Sequence, residues 1–196
     1  MSTGIIILAA GNSSRLGQPK QLLTFKGKCL LEIAAEAAIN TSIRPIIIVL
    51  GANAEIILKN TSYPEISYIV NEQWQGGMSS SIALGITTIK DRHPYLENVI
   101  IAVSDQAYMN PEILEGLLSK KESSGKNIVA SRYNETTGSP ALFNKKYFAQ
   151  LNSLKGDKGA KQILEQYPDD IATVKFELGH IDIDTITDYE NLINHK

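Results

Sequence analysis

The sequence predicts an α/β protein, a three-layer, doubly wound, mostly parallel sheet with helices on both faces. At 196 residues and 43% hydrophobic content, the chain suits one domain spanning residues 1–196. Its apolar runs are short, β-branched and mostly unalternating, as in strands buried on both faces of a parallel sheet. Segments with helical spacing separate these runs, and this alternation favours parallel strands joined by right-handed crossovers.

The first half of the chain supplies the regular part of this pattern. In chain order the predicted elements are a strand over residues 5–9, a helix over 29–39, strands over 46–50 and 66–70, a helix over 79–89, a strand over 99–103 and a helix over 111–118. The first helix is rich in leucine and alanine, and the last opens with Pro111 at a first-turn position.

The second half is less regular. Strands are predicted over residues 127–131, 139–143, 173–176 and 181–183, and helices over 157–165 and from about residue 188. Polar clusters at 11–20, 71–81 and 104–110 each follow a predicted strand. Because ligands bind at the carboxyl ends of parallel strands, we expect these three clusters to share one cleft.

Composition excludes several classes of function. The net charge of −2 gives no electrostatic footprint for nucleic acid. The single cysteine, Cys29, excludes an internal disulfide framework and cannot supply a thiolate zinc site alone. No run approaches the ~20 apolar residues of a membrane span. We therefore expect a soluble, cytoplasmic protein without nucleic-acid or membrane partners.

The first polar cluster, GNSSRLGQPK, lies where a βα loop presents backbone N–H groups to an anion. It is neither a Walker A loop nor a G-x-G-x-x-G dinucleotide fingerprint. Arg15 can fork onto phosphate oxygens and Lys20 offers a point charge, so the pair can grip opposite ends of a polyphosphate. The alternative is an ordinary βα loop with solvated cations.

The other two clusters suggest binding sites for a nucleotide base and for a metal ion. Gly76 and Gly77 let the backbone approach a flat ligand, and the serines that follow can cap a helix and donate hydrogen bonds. Asp105 follows a buried strand, and a carboxylate suits Mg²⁺, which takes one or two carboxylates beside substrate phosphates. A plain capped helix and a turn cap are the respective alternatives.

These blocks resemble a known family. LAAGNSSRLGQPKQLL resembles the nucleotide-binding motif of the MobA-like nucleotidyltransferases, with Leu16 for the usual methionine. The blocks NEQWQGGMSSSI, GSPALF, LKGDKGAK and IDIDT resemble, in the same order, motifs of its molybdopterin cytidylyltransferase branch. The chain departs from these motifs in having Ala107 and Ile186 in place of proline and Lys161 in place of arginine. A lysine at position 161 cannot bind phosphate in the bidentate way that an arginine can.

The resemblance implies a Rossmann-like nucleotidyltransferase fold, similar to nucleotide-diphospho-sugar transferases, and an activity. CMP would pass from CTP to molybdopterin, the molybdenum cofactor precursor, with Mg²⁺ as cofactor and release of pyrophosphate. A molybdenum hydroxylase or its maturation factor would receive the product. Two alternative reactions are nucleotidyl transfer from GTP to molybdopterin, and nucleotidyl transfer from CTP or UTP to a sugar or polyol phosphate. A third alternative is a non-catalytic protein that binds and delivers the molybdenum cofactor.

The same resemblance assigns site residues. The catalytic candidates are Lys20, Arg15 and Asp105. The nucleotide-binding candidates are Leu8, Ala9, Ala10, Gly11, Ser13, Ser14, Arg15, Lys20, Gly77 and Ser81. The expected metal ligands are Asp105 and Asp182, with Asp184 and Asp157 open as alternatives for the second. Asp182 and Asp184 alternate along a predicted strand, so both could face the cleft.

Overall fold

The sheet and its helices are given by a computed structural model that describes residues 2–194. The strands are β1 (Thr3–Ala9), β2 (Thr24–Phe25), β3 (Lys28–Cys29), β4 (Ile46–Leu50), β5 (Ile66–Val70), β6 (Asn98–Val103), β7 (Ile128–Tyr133), β8 (Thr136–Asn144) and β9 (Ile171–Lys175). The α-helices are α1 (Leu30–Ile39), α2 (Ala54–Asn60), α3 (Met78–Arg92), α4 (Pro111–Ser124), α5 (Phe148–Ser153), α6 (Lys161–Gln166) and α7 (Ile186–Asn194).

Seven strands form one sheet in the order β5-β4-β1-β6-β8-β7-β9, and β2 pairs with β3 in a separate two-stranded ribbon. Only β8 runs against its neighbours in the large sheet. A two-residue turn containing Asn134, at a φ of 50°, joins β7 to β8 and explains this reversal. The predicted three-layer, mostly parallel arrangement is confirmed.

The pleat of β1 divides the core into two layers. Ile5 and Ile7 face one layer, which buries residues of α1, α2 and α4. Ile6 and Leu8 face the other, which buries residues of α3, α5 and α6. Alternate residues of a strand point to opposite faces, so a strand covered on both sides must be apolar throughout.

The largest departures from the predicted elements lie near the site. The predicted strand 181–183 was wrong, because residue 182 makes only an isolated bridge with Gln106. The helix predicted over 157–165 begins only at Lys161, since Gly156 and Gly159 hold the preceding turn at φ of 75° and 55°. Strand β5 has the predicted bounds but lies at the sheet edge, where Val70 is exposed.

None of the helices among residues 2–194 is both long enough and apolar enough to cross a membrane.

Candidate active site

Two cavities open side by side at the carboxyl ends of β1 and β6. One, of about 480 Å³, is lined by the loop after β1 and by the start of α3, and we call it the loop cavity. The other, of about 410 Å³, lies against β8 and α6, and we call it the β8 cavity. The residues that line both are Leu8, Met78, Val103 and Asp105. Asp105 is the charged residue at their boundary.

Eight of the ten predicted nucleotide-binding residues line the loop cavity. They are Leu8, Ala9, Ala10, Gly11, Arg15, Lys20, Gly77 and Ser81. Ser13 and Ser14 instead line a smaller depression of about 150 Å³ on the outer side of the same loop.

Lys20 lies between two carboxylates. Its ammonium group donates to Asp105 and, at 3.2 Å, to Asp184. Burial alone would lower the pKa of Lys20, but the two carboxylates outweigh it and hold that pKa above its usual value. Asp184 also accepts from Arg15 at 3.1 Å, and, although partial burial opposes it, the two cations lower the pKa of Asp184. Lys20 therefore remains a cation at neutral pH.

The cluster has an inner and an outer part. The side chains of Lys20 and Asp105 are 17% and 15% exposed, whereas those of Asp184 and Arg15 are 44% and 66% exposed. Charges interact more strongly where water is excluded, so the inner pair dominates the local field.

Local turn chemistry brings the two cations to the same side of the loop. Ser13, at a φ of 53°, accepts from the Lys20 backbone N–H through its hydroxyl at 2.9 Å. Its carbonyl accepts from the Leu16 N–H at 2.9 Å. Leu16 then packs with Ile183 in a small apolar cluster, which fixes the loop against the segment that carries Asp184.

Gly77 closes the loop cavity at the start of α3. It has a φ of 82°, and a Cβ there would lie 2.3 Å from the Asp157 carboxylate and 2.9 Å from the Gly156 backbone. Asn71 donates to the hydroxyls of Ser80 and Ser81 at 2.9 and 3.0 Å. A side chain at position 77 would thus collide with the loop that carries Gly156 and Asp157, so glycine is required there. The hydrogen bond from Asn71 fixes the position of the Ser81 hydroxyl.

The four candidate metal ligands are divided between the cavities. Asp182 lines the β8 cavity, Asp184 and Asp157 line the loop cavity, and Asp105 lines both. Desolvation first, and then the charge of Asp105, raise the pKa of Asp182. One carboxylate oxygen of Asp105 is buried without a hydrogen-bond partner. An unpaired buried oxygen beside a second carboxylate fits a divalent cation.

No group of three or more histidine, cysteine or acidic side chains in the described part of the chain forms a ready-made metal site. Two carboxylates are nevertheless what Mg²⁺ uses when substrate phosphates complete its ligand shell.

Two residues that support the loop after β1 were not predicted from the sequence, and one of them, Gln21, lines the loop cavity. The side-chain amide of Gln21, fully buried, donates to the carbonyls of Ala9 and Gly11. Gly51 follows β4, and a Cβ there would lie 2.5 Å from the Ala10 carbonyl oxygen. A glycine directly after a predicted strand was the available signal for Gly51, whereas no local pattern marks Gln21.

Sequence reasoning also missed most of the β8 cavity. Its wall includes Tyr133, whose pKa is raised by burial and by the charges of Asp182 and Asp105. The basic side chains that line it are Lys158, Lys161 and His180.

This combination of a mostly parallel sheet and a cation loop at its carboxyl edge defines a nucleotide-handling transferase fold. The chain belongs to the MobA-like NTP transferase domain family, which matches residues 5–171. The resemblance found in the sequence is thereby confirmed at the level of the family.

The chain is also similar to individual proteins and solved structures. The chain is 28% identical to "Nicotine blue oxidoreductase" of Paenarthrobacter nicotinovorans, over 96% of this chain and 95% of that protein. It is 25% identical to "Probable molybdenum cofactor guanylyltransferase" of Methanosarcina mazei, over 97% and 89%. The crystal structure of Rv0371c from Mycobacterium tuberculosis superposes with a TM-score of 0.87 at 25% identity, covering 98% of this chain and 97% of that one. A structure of Rv0371c with manganese gives a TM-score of 0.84 at 23% identity, covering 100% of both chains.

Proposed function

We propose that this protein transfers CMP from CTP to the terminal phosphate of molybdopterin, or of the molybdenum cofactor, and releases pyrophosphate. The observation that carries the proposal is the pair of adjoining cavities that share Asp105, with Lys20 bound to it. A group transfer needs two substrates to meet at one reacting atom, and two cavities with a common charged wall provide that meeting point.

The reaction balances without a dedicated base. An oxygen of the acceptor phosphate forms a bond to the α-phosphorus of the nucleotide, and the bond from that phosphorus to the bridging oxygen breaks. A phosphate monoester has a second pKa of about 6, so the attacking oxygen is already largely ionised near neutral pH. Positioning and charge neutralisation can then supply most of the rate.

Lys20 and Arg15 would supply that neutralisation. Lys20 lies at the inner end of the loop cavity, beside Asp105, and Arg15 lies at the outer end. We assign Lys20 to the α-phosphate, where charge develops in the transition state, and Arg15 to the departing pyrophosphate.

Asp105 and Asp182 would hold Mg²⁺ at the boundary of the two cavities. The buried, unpaired oxygen of Asp105 and the raised pKa of Asp182 support this pair over Asp184, which is already paired with two cations. When bound, the ion would neutralise phosphate charge and polarise the phosphorus–oxygen bonds.

The β8 cavity suits a fused-ring acceptor with a phosphate. Its inner wall is apolar and includes Ile101 and Phe143, while Lys158 and Lys161 line it with positive charge. Delivery of the product to a molybdenum hydroxylase or its maturation factor, and a cytoplasmic location, remain predictions from the sequence.

The choice of CTP is argued from Ala10. This residue is buried, and Ala52 donates to its carbonyl at 3.3 Å, so its methyl group has a fixed place at the end of β1. A methyl group in a pocket is worth about 1–3 kcal/mol of discrimination, which corresponds to a preference of tens to hundreds of fold for the smaller pyrimidine.

A competition experiment tests the proposal. The wild-type protein is incubated with molybdopterin, Mg²⁺ and equal concentrations of CTP and GTP, and the dinucleotide products are quantified by mass spectrometry. We expect the cytidine product to dominate and Ala10→Gly to reduce its excess over the guanosine product, while Ala172→Gly on β9, which lines neither cavity, leaves the ratio unchanged. A dominant guanosine product would overturn the choice of base and leave the transferase assignment standing.

A second candidate, oxidoreduction, is favoured by one observation, the 28% identity to a protein named nicotine blue oxidoreductase. The pairing of Lys20 with Asp105 at the sheet edge supports phosphate chemistry instead. Oxidation of NADH or NADPH by the protein, without nucleotidyl transfer to any phosphorylated acceptor, would favour this candidate.

A further inference from the structure

The carbonyl oxygens and the N–H groups at the end of β1 and the start of the following loop differ in their hydrogen bonds. Four consecutive carbonyl oxygens, from Leu8 to Gly11, each accept a hydrogen bond from outside the loop. The donors are Ser104 N to Leu8 O at 3.1 Å, Gln21 Nε2 to Ala9 O at 2.9 Å, Ala52 N to Ala10 O at 3.3 Å and Gln21 Nε2 to Gly11 O at 3.1 Å. Two of the four therefore depend on one side chain.

The backbone N–H groups of the next residues differ from these carbonyls in their hydrogen bonding. Within residues 2–194, the amides of Gly11, Asn12 and Ser13 donate no hydrogen bond, and Gly11 and Asn12 line the loop cavity. Successive unpaired N–H groups form a nest that attracts anions. Carbonyl oxygens turned toward the same space would repel them.

The side chain of Gln21 is suited to hold the carbonyls away. Both of its contacts are to carbonyl oxygens, so the group that faces them must be the amide NH₂. Its own oxygen, Oε1, is buried without a partner. An unpaired buried oxygen is costly, so the two hydrogen bonds that the amide donates to the carbonyls must outweigh that cost.

We propose that Gln21 is a positioning residue for the phosphates of the nucleotide. By holding the carbonyls of Ala9 and Gly11, it keeps partial negative charge out of the loop cavity and leaves the N–H groups of residues 11–13 for phosphate oxygens. The inference rests on the proposed function, in which the loop cavity takes a nucleoside triphosphate.

The chain offers a matched control in the neighbouring cavity. The side-chain amide of Gln106 is also buried and donates to two carbonyls, those of Ser139 at 2.9 Å and Gly179 at 2.8 Å. Its Oε1 is likewise buried without a partner. Both of those carbonyls belong to residues that line the β8 cavity.

The test compares Gln21→Met with Gln106→Met by titration calorimetry, using CTP, inorganic tripolyphosphate and cytidine as ligands. Methionine keeps the length of the side chain and removes both donors. We expect Gln21→Met to lower the affinity for CTP and for tripolyphosphate by about tenfold or more, and the affinity for cytidine by less than about twofold. Gln106→Met should leave all three affinities within about twofold of the wild type.

If Gln21 had a purely structural role, Gln21→Met would lower the affinities for cytidine and CTP by the same factor. That result, or an unchanged affinity for tripolyphosphate, would overturn the inference. If Gln21→Met fails to fold, Gln21→Asn provides the comparison, since it draws the donors back by one methylene group and adds no charge. Failure of the wild type to bind CTP, GTP, UTP and tripolyphosphate would instead contradict the proposed function.

Discussion

Lys20 illustrates how single residues set the chemistry of this site. It pairs with Asp105, 85 residues away in the chain, and with Asp184, 164 residues away. The partly exposed Asp184 pairs with both cations of the loop, so a triphosphate would compete with it for Lys20 and Arg15. Asp105 is the buried partner and would stay in place when phosphates bind.

Replacement of Lys20 tests the catalytic cation. Lys20→Ala should lower the rate of pyrophosphate release by ~10²-fold or more, because a preorganised charge at the reacting phosphorus acts mostly in the transition state. Circular dichroism should show the fold intact. Lys59→Ala is the matched control, since Lys59 pairs with the exposed Glu55 on α2. Near-normal turnover of Lys20→Ala would remove this residue from the mechanism.

Gly11 tests whether the nucleotide approaches the backbone closely. It lines the loop cavity, and a Cβ there would meet nothing within 4 Å. Gly11→Ala should therefore keep its urea midpoint but bind CTP about tenfold more weakly, because the methyl group fills space that the ligand needs. Gly116→Ala on α4, away from both cavities, should change neither property for the worse. Equal CTP affinity in Gly11→Ala would place the nucleotide elsewhere.

At the scale of elements, strands buried on both faces could be predicted from the sequence and the site segments could not. The bounds of β4 match the predicted range, and β1 and β6 differ from their predicted ranges by at most two residues. Continuous β-branched runs leave few alternatives for such strands. β5 also has the predicted bounds, although it is a partly exposed edge strand. The predicted strand 181–183 failed because alternation alone does not provide a partner strand.

Within the site, the sequence predicted the charged residues better than the residues that support them. The motifs that carry Arg15, Lys20 and Asp105 are local in sequence, and the fold brings these three together. Gln21 and Gly51 act through contacts with the loop after β1. The Gln21 contacts depend on how that loop folds back on itself, which no local pattern reveals, whereas a glycine directly after a predicted strand was a signal for Gly51.

Asp170, directly before β9, forms hydrogen bonds with residues that precede β7 and α5. The pH dependence of its contribution to stability can be measured. Its carboxylate accepts from Asn127 before β7, from Tyr147 at 2.7 Å and from Lys146 at 3.1 Å. Burial opposes ionisation, but these donors outweigh it and hold the pKa of Asp170 well below its usual range. Its ionised form therefore stabilises the fold above about pH 4, and this contribution is lost as the pH falls through the lower folded-state pKa.

Asp170→Asn should reduce the free energy of unfolding by about 2 kcal/mol at neutral pH, since hydrogen bonds to a charged group are lost. The difference from the wild type should shrink as the pH falls below about 4, as urea titrations at several pH values would show. Asp169→Asn, at the exposed neighbouring position, should have little effect at any pH. A difference independent of pH would contradict the role of the charge.

For the whole molecule, the topology accounts for the two adjoining cavities in which the proposed substrates would meet. β1 and β6 are adjacent and parallel, so the loops after both strands reach the same edge. The antiparallel β8 next to β6 then forms the wall of a second cavity beside the first. Asp105, at the end of β6, lies between them and can serve both substrates.

In the proposed reaction a nucleotidyl group crosses this boundary, and label transfer detects that step. The wild-type protein and Lys20→Ala are incubated with Mg²⁺, molybdopterin and CTP that is labelled either at the α-phosphate or at the γ-phosphate. We expect the wild type to place the α-label in a molybdopterin–cytidine dinucleotide and the γ-label in pyrophosphate, with both products strongly reduced in Lys20→Ala. Transfer of the γ-label to the acceptor, or no transfer from any nucleoside triphosphate, would contradict the account.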